Sequence, residues 1–526
     1  MRVSHSHKKV RGLREALPPR TRAAWAFFGL WAALWMGVFV AAAERTYRWG
    51  FPLDDAWIHQ TYARNLARWG QWAYRPGAPS AGVTAPLWVV LQAVGQRLGV
   101  PPLVWSAALG WGTLTALGLA VWAWWRQAVP ERRGWWPWLA GAAVAGAWHL
   151  VWAALSGMET ALFTLAMLGV LLWGGRLPRR WESGALGAGV GLAVWLRPEA
   201  VLALPALAVA WLLPACCPAE NRPRLSLKQA ARRMAALGVG FALTFVPYLG
   251  FNLGLSGRLW PNTFYAKQAE YAVFRQWPLW WRAWKTGAPL LAGMGGVLLL
   301  PALGQVVADV RGRRWARLAA PLWAGAHWAA YVFRLPVAYQ HGRYVLPVLP
   351  VLLVWGWRGL ASLWREWEGR LTAGWALART WALAAAGAGL LFLGVGAQAY
   401  AHDVAFIESE MVTVARWLPS HLPPHTVVAA HDIGAVGYFT DFPLVDLAGL
   451  VSPEVIPFIR DETALCAFLN RRGAHVLVAF PDWYAHLTAG LTPLYANAHG
   501  WGPRLGGSHL TVYAWRGSCA ILWAWP

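Results

Sequence analysis

Residues 51–77, FPLDDAWIHQTYARNLARWGQWAYRPG, carry two adjacent carboxylates, Asp54 and Asp55, directly after a long apolar run. Apolar side chains then recur at spacings of four, four and three residues: Ile58, Tyr62, Leu66 and Trp69. This spacing predicts an amphipathic helix that begins near Asp55. Aspartate is a preferred N-cap, so Asp54 is a candidate cap. It is also a candidate functional group, because one carboxylate oxygen can accept the capping bond while the other stays free.

The apolar run before this stretch, 23–43, is one of many in a chain of 526 residues that is 58% hydrophobic and only 13% charged. Soluble proteins carry about 25% charged residues. The run is longer than the roughly 7–15-residue apolar region of a signal peptide, so we interpret it as a permanent membrane span. The composition therefore predicts an α-helical polytopic membrane protein.

Apolar segments of membrane-spanning character recur along the N-terminal four-fifths of the chain. We predict eleven spans, at 23–43, 101–124, 135–155, 160–174, 184–197, 199–215, 234–255, 288–308, 318–334, 345–361 and 380–400. Residues 44–100 are predicted to form the first external loop. Within this loop the short apolar segment 85–99 contains two glutamines and an arginine, and it is predicted to lie in the plane of the membrane.

The net charge of +23 comes from arginine and lysine clusters between the apolar runs. Such clusters mark cytoplasmic loops, where they also attract anionic lipid headgroups. We therefore predict a multi-pass protein of the cell membrane that contacts membrane lipids and does not bind nucleic acid. The basic N-terminus, residues 1–22, is predicted to be cytoplasmic, and the C-terminus extracytoplasmic.

Residues 402–526 differ in character from the membrane domain, 23–401. The segment 408–418 is predicted to be an amphipathic helix, and three short apolar segments, 426–431, 443–449 and 475–480, are predicted to be buried strands. This predicts a small extracytoplasmic α/β domain. Asp432 and Asp446 are interpreted as loop residues that shape its edge.

The chain has four cysteines. Cys216 and Cys217 lie in a predicted cytoplasmic loop and are expected to be reduced thiols. Cys466 and Cys519 share the predicted oxidising side, where either a disulfide or two buried free thiols fit the sequence.

Several motifs resemble membrane glycosyltransferases of the GT-C superfamily, in the variant similar to bacterial terminal arabinofuranosyltransferase-like and protein-mannosyltransferase-like enzymes. The resemblance starts in the first loop, with the stretch that begins at Asp54, and spans about residues 51–454. The further motifs are SGMETALF (156–163), LRPEA (196–200), WPNTFYAK (260–267), YQHGRYVLPVLP (339–350) and HDIGAVGYFTDFPLVDLAGLVSPE (431–454).

The resemblance implies a polyprenyl-phosphate sugar donor of the cell envelope and a glycan, lipid or protein acceptor that supplies a hydroxyl. It assigns the general base to Asp54, with Asp55 as its neighbour. A leaving phosphate needs cations beside it. The candidates for this role are Lys267, His341 and Arg343, each of which has a membrane-surface or topological alternative.

Other residues in or near these motifs are candidate substrate contacts: His59, Arg64, Glu159, Asn262, Tyr265 and Tyr344. For Glu159 we favour a structural ion pair with Arg197, and for Asn262 a turn. No cofactor is predicted with certainty, although two carboxylates beside a phosphate could hold Mg²⁺ or Mn²⁺.

A transporter or flippase of a lipid-linked sugar is the alternative to a glycosyltransferase. Transporters of this kind show repeats related by pseudo-symmetry and place polar residues near the middle of the bilayer. The sequence shows no such repeat, and its charged motifs collect at the predicted external ends of the spans.

Overall fold

The computed structural model describes residues 19–129, 134–176, 179–217, 226–366 and 373–517. Within these ranges six helices are long and apolar enough to cross a membrane. A pair bent by 48°, Trp136–Ala145 with Trp148–Leu155, would make a seventh span. The chain is thus a multi-pass membrane protein, and the predicted fold class is confirmed.

The helices and strands follow one another along the chain with few long connections. The α-helices are α1 (Pro19–Thr46), α2 (Asp54–Trp69), α3 (Pro86–Arg97), α4 (Pro102–Ala128), α5 (Trp136–Ala145), α6 (Trp148–Leu155), α7 (Thr160–Gly174), α8 (Arg180–Val194), α9 (Ala203–Cys216), α10 (Leu227–Ser256), α11 (Asn262–Glu270), α12 (Leu279–Leu291), α13 (Met294–Arg311), α14 (Ala319–Arg334), α15 (Tyr339–Gly342), α16 (Leu349–Glu366), α17 (Ala373–Phe406), α18 (Thr413–His421), α19 (Gly434–Phe439), α20 (Glu462–Arg471) and α21 (Ala485–Thr488). The strands are β1 (Ala73–Arg75), β2 (Ala78–Pro79), β3 (Val428–Ala430), β4 (Leu444–Asp446), β5 (Val476–Ala479), β6 (Thr492–Ala496) and β7 (Thr511–Ala514).

Each of the eleven predicted spans coincides with helical structure. Four of them are interrupted or begin irregularly. The span predicted at 135–155 bends between α5 and α6, and the span at 345–361 begins with the 3₁₀-helix Leu346–Val348. The span predicted at 288–308 breaks between α12 and α13, and the span at 199–215 begins as the 3₁₀-helix Pro198–Leu202. The segment 85–99 contains α3, whose 12 residues extend only about 18 Å. It is therefore too short to cross a hydrocarbon core of about 30 Å.

The membrane domain is built around one central helical segment. Of the apolar window in Tyr339–Glu366, 89% is buried inside the protein, compared with 17% in Leu227–Ser256. Large aromatic side chains fill much of the interior. The fully buried tryptophans include Trp125, Trp152, Trp211, Trp323, Trp355 and Trp357. Several of the chain's 42 tryptophans therefore serve to pack the core.

Helices α8 and α10 touch through glycines. A Cβ atom added at Gly240 would lie 1.9 Å from the carbonyl oxygen of Gly184, and one added at Gly187 would lie 2.0 Å from that of Leu237. Small residues allow such close approach of helices in membranes, where van der Waals packing drives association.

We expect Gly240→Val to separate these two helices, because its β-carbon meets backbone that cannot move aside. The apparent melting temperature of the protein in detergent should fall clearly. Gly238→Val is the matched control, since an added Cβ at Gly238 meets nothing within 4 Å. Equal melting temperatures for the two variants would contradict the packing described.

The C-terminal domain contains a five-stranded mixed sheet in the order β4-β3-β5-β7-β6. β3 pairs in parallel with β4 and β5, while β7 pairs antiparallel with β5 and β6. The three predicted strands are confirmed as β3, β4 and β5. The sequence analysis missed β6 and β7, because β6 is largely exposed and lacks the apolar pattern of a buried strand.

The predicted helix at 408–418 is confirmed with an irregular start. The π-helix Ile407–Val412 continues α17 and leads into α18. A π-helical turn widens a helix and often marks a functional site. Cys466 lies buried in the core of the C-terminal domain. Cys519 lies outside the described residues, so the pairing of these two cysteines stays a prediction.

The first-loop helix, α2, begins at Asp54 as predicted, but Leu53 occupies the N-cap position without a side-chain hydrogen bond. The expectation that Asp54 caps its own helix is therefore wrong. Ile58 and Tyr62 are buried as the periodicity predicts, whereas Trp69 is 62% exposed. Trp69 is the last residue of α2, where the helix has passed beyond the residues that cover its apolar face.

Candidate functional site

A cavity of about 950 Å³ lies where the first-loop helix, the membrane domain and the C-terminal domain meet. Asp54 and Asp55 contribute to one wall. Lys267 from α11 and Arg343 from the start of the central segment also line it, as does Trp483 from the C-terminal domain. Residues far apart in sequence therefore converge on one polar cavity.

Asp55 lies between two cations. Its Oδ2 accepts hydrogen bonds from Arg343 Nη2 and from Lys267 Nζ, the latter at 3.3 Å. The Tyr344 hydroxyl accepts from Lys267 Nζ at 2.9 Å and from Arg343 Nη2 at 3.2 Å. Burial raises the pKa of Asp55, but the charges of Lys267 and Arg343 outweigh it and hold that pKa far below its usual range. Two cations against one carboxylate leave this cluster with an excess positive charge.

The guanidinium of Arg343 has one unsatisfied buried nitrogen in the described part of the chain. Its Nη1 is buried and has no hydrogen-bond partner among the described residues. The preceding residues Gln340, His341 and Gly342 all have positive φ, at 54°, 57° and 71°. Non-glycine residues adopt this conformation at a cost that is typical of functional sites. The turn that they form brings Arg343 to the cavity.

Asp54 is held by backbone donors of the C-terminal domain. Its Oδ2 accepts from the Gly434 N–H at 2.6 Å, and its Oδ1 accepts from the Ala435 N–H at 2.7 Å. Burial and the neighbouring charge of Asp432 raise the pKa of Asp54 to about 8, against the opposing effect of the two N–H groups. The carboxyl thus joins the first-loop helix to the start of α19.

Two further first-loop side chains bind the same segment. Arg64 donates to the carbonyl oxygens of Tyr438, at 2.6 Å, and Gly437, at 3.3 Å. The Tyr74 hydroxyl donates to the carbonyl oxygen of Ile433. Arg64, a predicted substrate contact, therefore connects the two domains and does not line the cavity.

His341 lies behind the cavity wall. Its Nε2 is 2.7 Å from Asp403 Oδ2, and Asp403 also accepts a hydrogen bond from Trp152 Nε1 at 2.8 Å. Asp403 lines the cavity but His341 does not. The structure thus brings Lys267 and Arg343 together on Asp55. His341 lies outside this cluster, behind Asp403.

His59 and Glu159 belong to a buried polar cluster beside the site. His59 Nδ1 is 3.0 Å from the carbonyl oxygen of Asp55, and its Nε2 is 4.0 Å from Glu159 Oε2. Arg197 pairs with Glu159 at 3.8 Å and with Glu199 at 3.6 Å, which agrees with the structural ion pair favoured from the sequence. Neither His59 nor Glu159 lines the cavity.

Two other candidates make structural contacts away from the cavity. Asn262 starts α11, where its backbone N–H donates to Ala81 and its Nδ2 donates to the carbonyl oxygen of Leu450 at 3.3 Å. The Tyr265 ring lies 5.1 Å from the Arg258 guanidinium.

The sequence analysis did not identify His431, which lies on the cavity wall that the C-terminal domain contributes. His431 Nε2 lies 3.4 Å from Glu270 Oε1, and His431 Nδ1 lies 2.6 Å from the Tyr484 hydroxyl. Burial lowers the pKa of His431, but these neighbours and Asp432 raise it well above its usual value. His431 stands in a motif that the sequence analysis quoted, which is the signal that could have identified it.

The two first-loop carboxylates do not form a shared cation site. Asp54 is occupied by backbone N–H groups, and Asp55 by the side chains of Lys267 and Arg343. Across the described ranges no group of three or more His, Cys, Asp or Glu side chains is arranged to hold a metal ion. These residues therefore do not fit the Mg²⁺ or Mn²⁺ site that the sequence left open.

Comparison with known proteins places the fold. A family model described as "Domain of unknown function (DUF8728)" matches residues 397–513. The search of curated proteins found no match. The structure of ArnT from Cupriavidus metallidurans bound to undecaprenyl phosphate is 18% identical, with 93% of this chain and 98% of that chain covered and a TM-score of 0.59.

AglB, the oligosaccharyltransferase of Archaeoglobus fulgidus, in complex with an inhibitory peptide and a dolichol-phosphate is similar at 11% identity. The match covers 86% of this chain and 69% of that chain, with a TM-score of 0.54. ArnT and AglB are membrane glycosyltransferases of the GT-C superfamily. The chain therefore has a GT-C-like fold.

Proposed function

We propose that the protein transfers a sugar from a polyprenyl-phosphate donor to an acceptor hydroxyl. The observation that carries this proposal is the pair of cations, Lys267 and Arg343, that line the cavity against the single carboxylate of Asp55. Phosphate oxygens accept charge-assisted hydrogen bonds from lysine and arginine side chains of this kind. The fold supports the same reading, since the similar ArnT and AglB structures hold undecaprenyl phosphate and dolichol-phosphate.

In the proposed reaction the acceptor oxygen attacks the anomeric carbon of the sugar, and the bond from that carbon to the phosphate oxygen breaks. The polyprenyl phosphate leaves with the electron pair, so its charge becomes more negative. Lys267 and Arg343 stabilise this developing charge, which is the kind of interaction that accelerates the chemical step. Tyr344 and Asp55 hold the two cations in place for it.

A carboxylate must accept the proton of the acceptor hydroxyl. The resemblance gives this role to Asp54. Asp54 lines the cavity, as this role requires. However, each of its oxygens already accepts a backbone N–H. Asp54 is therefore well placed to hold the C-terminal domain against the first-loop helix, and poorly placed to accept a proton.

Purified protein should release polyprenyl phosphate from a labelled donor in the presence of membrane extract as the source of acceptor. A panel of undecaprenyl-phosphate-linked mannose, arabinofuranose and glucose would identify the sugar. Arabinofuranose, transferred in building the cell envelope, is our proposal on the motif resemblance. A flippase would instead move the labelled lipid across proteoliposomes with its sugar intact, and that result would replace the transferase proposal.

We propose an extracytoplasmic site, with residues 1–22 cytoplasmic, 23–401 membrane-embedded and 402–526 extracytoplasmic. In intact cells an impermeant thiol reagent should then label Ser420→Cys on the exposed end of α18. The exposed thiols Cys216 and Cys217 should react only after lysis, since they lie in a predicted cytoplasmic loop. The opposite labelling pattern would invert the orientation.

A further inference from the structure

Seven carboxylates line the cavity, and most of them already have partners. They are Asp54, Asp55, Glu270, Asp403, Asp432, Glu462 and Asp482. Glu270 pairs with His431, and Asp403 with His341. Glu462 accepts the backbone N–H of Leu487.

Asp432 differs from these partnered carboxylates. It makes no hydrogen bond or ion pair within the part of the chain that the structure describes, and its side chain is only partly buried. It stands two residues before Gly434, whose N–H holds Asp54. It also lies within electrostatic reach of Asp54 and Asp55. Asp432 thus presents a carboxylate with no partner beside the donor phosphate site.

We infer that Asp432 is the catalytic base of the proposed transfer reaction, and that Asp54 is the residue that positions it. This inference rests on the proposed function. In the transfer step the Asp432 carboxylate takes the proton of the acceptor hydroxyl as the new carbon–oxygen bond forms. The phosphate leaves on the opposite side with the electron pair, toward Lys267 and Arg343.

The ionisation of the two neighbours supports this assignment. Burial raises the pKa of Asp432 to about 6, whereas that of Asp54 is raised to about 8. The charge of His431 lowers the pKa of Asp432, and the repulsion from Asp55 raises it. A base must be ionised before it can accept a proton, and the lower pKa of the two favours Asp432. The backbone N–H groups that hold both oxygens of Asp54 favour the same assignment.

The surroundings of Asp432 suit the approach of a polar acceptor. His431, fixed by Glu270 and Tyr484, precedes it, and Trp483 lines the same wall with 51% of its surface exposed. Asp482 also lines the cavity and is exposed, but its charge is not among the main influences on the pKa of Asp54 or Asp55. This makes Asp482 a matched control for Asp432.

Asp432→Asn should lower turnover of the labelled donor by about 10²- to 10⁴-fold, the usual contribution of a general base. Binding of undecaprenyl phosphate and the melting temperature should stay unchanged, and Asp482→Asn should keep wild-type turnover. Full activity of Asp432→Asn in a preparation whose wild type is active would overturn this inference alone. An inactive wild type that does not bind undecaprenyl phosphate would overturn the proposed function.

Azide provides a second, independent readout because it is a nucleophile with no proton to lose. In Asp432→Ala or Asp432→Gly, added azide should restore release of polyprenyl phosphate and form a glycosyl azide. A structural role for Asp432 would not give this rescue. Its absence in both variants, whether or not their melting temperatures fall, would reject Asp432 as the base.

Discussion

Arg343→Met should abolish most donor turnover, with a loss of about 10²- to 10³-fold, which is the usual effect of removing one preorganised donor to a developing negative charge. The substitution removes the ion pair with Asp55 and the unpartnered Nη1 together. Lys267 remains and keeps one positive charge beside Asp55. Binding of undecaprenyl phosphate should weaken in parallel, because the same guanidinium holds the phosphate before and after transfer.

Two companion variants separate charge from geometry. Arg343→Lys keeps the charge but lacks the planar fork that binds phosphate through two N–H groups, so its turnover should remain well below wild type. Arg460→Met is the control, because Arg460 lines the same cavity but contacts the backbone oxygen of Glu270. Wild-type binding of undecaprenyl phosphate by Arg343→Met would contradict the proposed phosphate site.

Asp54→Asn should destabilise the contact between the first-loop helix and the C-terminal domain. An amide can accept one of the two backbone N–H groups, but its NH₂ faces the other, so a buried donor loses its partner. Such a loss costs about 1–3 kcal/mol. We expect a lower melting temperature and faster proteolysis of the C-terminal domain, together with reduced turnover because Asp432 is displaced.

Gly434→Ala tests the same contact from the other side. Its Cβ would lie 2.0 Å from the backbone oxygen of Asp54 and 2.6 Å from its Oδ2, so it should reproduce the Asp54→Asn phenotype. Asp441→Asn, at an exposed position just after α19, should behave as wild type. If Asp54→Asn lowered turnover by about 10²- to 10⁴-fold at unchanged stability, Asp54 would be the base and Asp432 would not.

The membrane architecture was predictable because spans carry a strong local signal of length and hydropathy. The phosphate-side cations were predictable in part, because Lys267 and Arg343 both lie in motifs that resemble those of GT-C glycosyltransferases. His341 was expected at the cavity because it lies two residues before Arg343 in the same motif. A positive-φ turn, which sequence spacing does not reveal, sends it instead toward Asp403.

Arg64 and Asp54 make contacts that sequence reasoning could not foresee. A charged side chain in a loop can bind a ligand or the backbone of a distant segment, and local sequence does not distinguish the two. Here both bind residues within 434–438, which lie 373 to 381 positions later in the chain. The approach of Asp432 to Asp54 depends on the same long-range pairing, so it could not be read from either motif alone.

The hydrogen bonds between the first loop and the segment around α19 also determine which part of the protein can fold last. Asp54, Arg64 and Tyr74 are synthesised early, yet their partners lie beyond residue 432. Contacts of such large sequence separation form late, because a long loop must close first. We therefore expect a chain truncated after the last span to integrate into the membrane without forming a closed cavity.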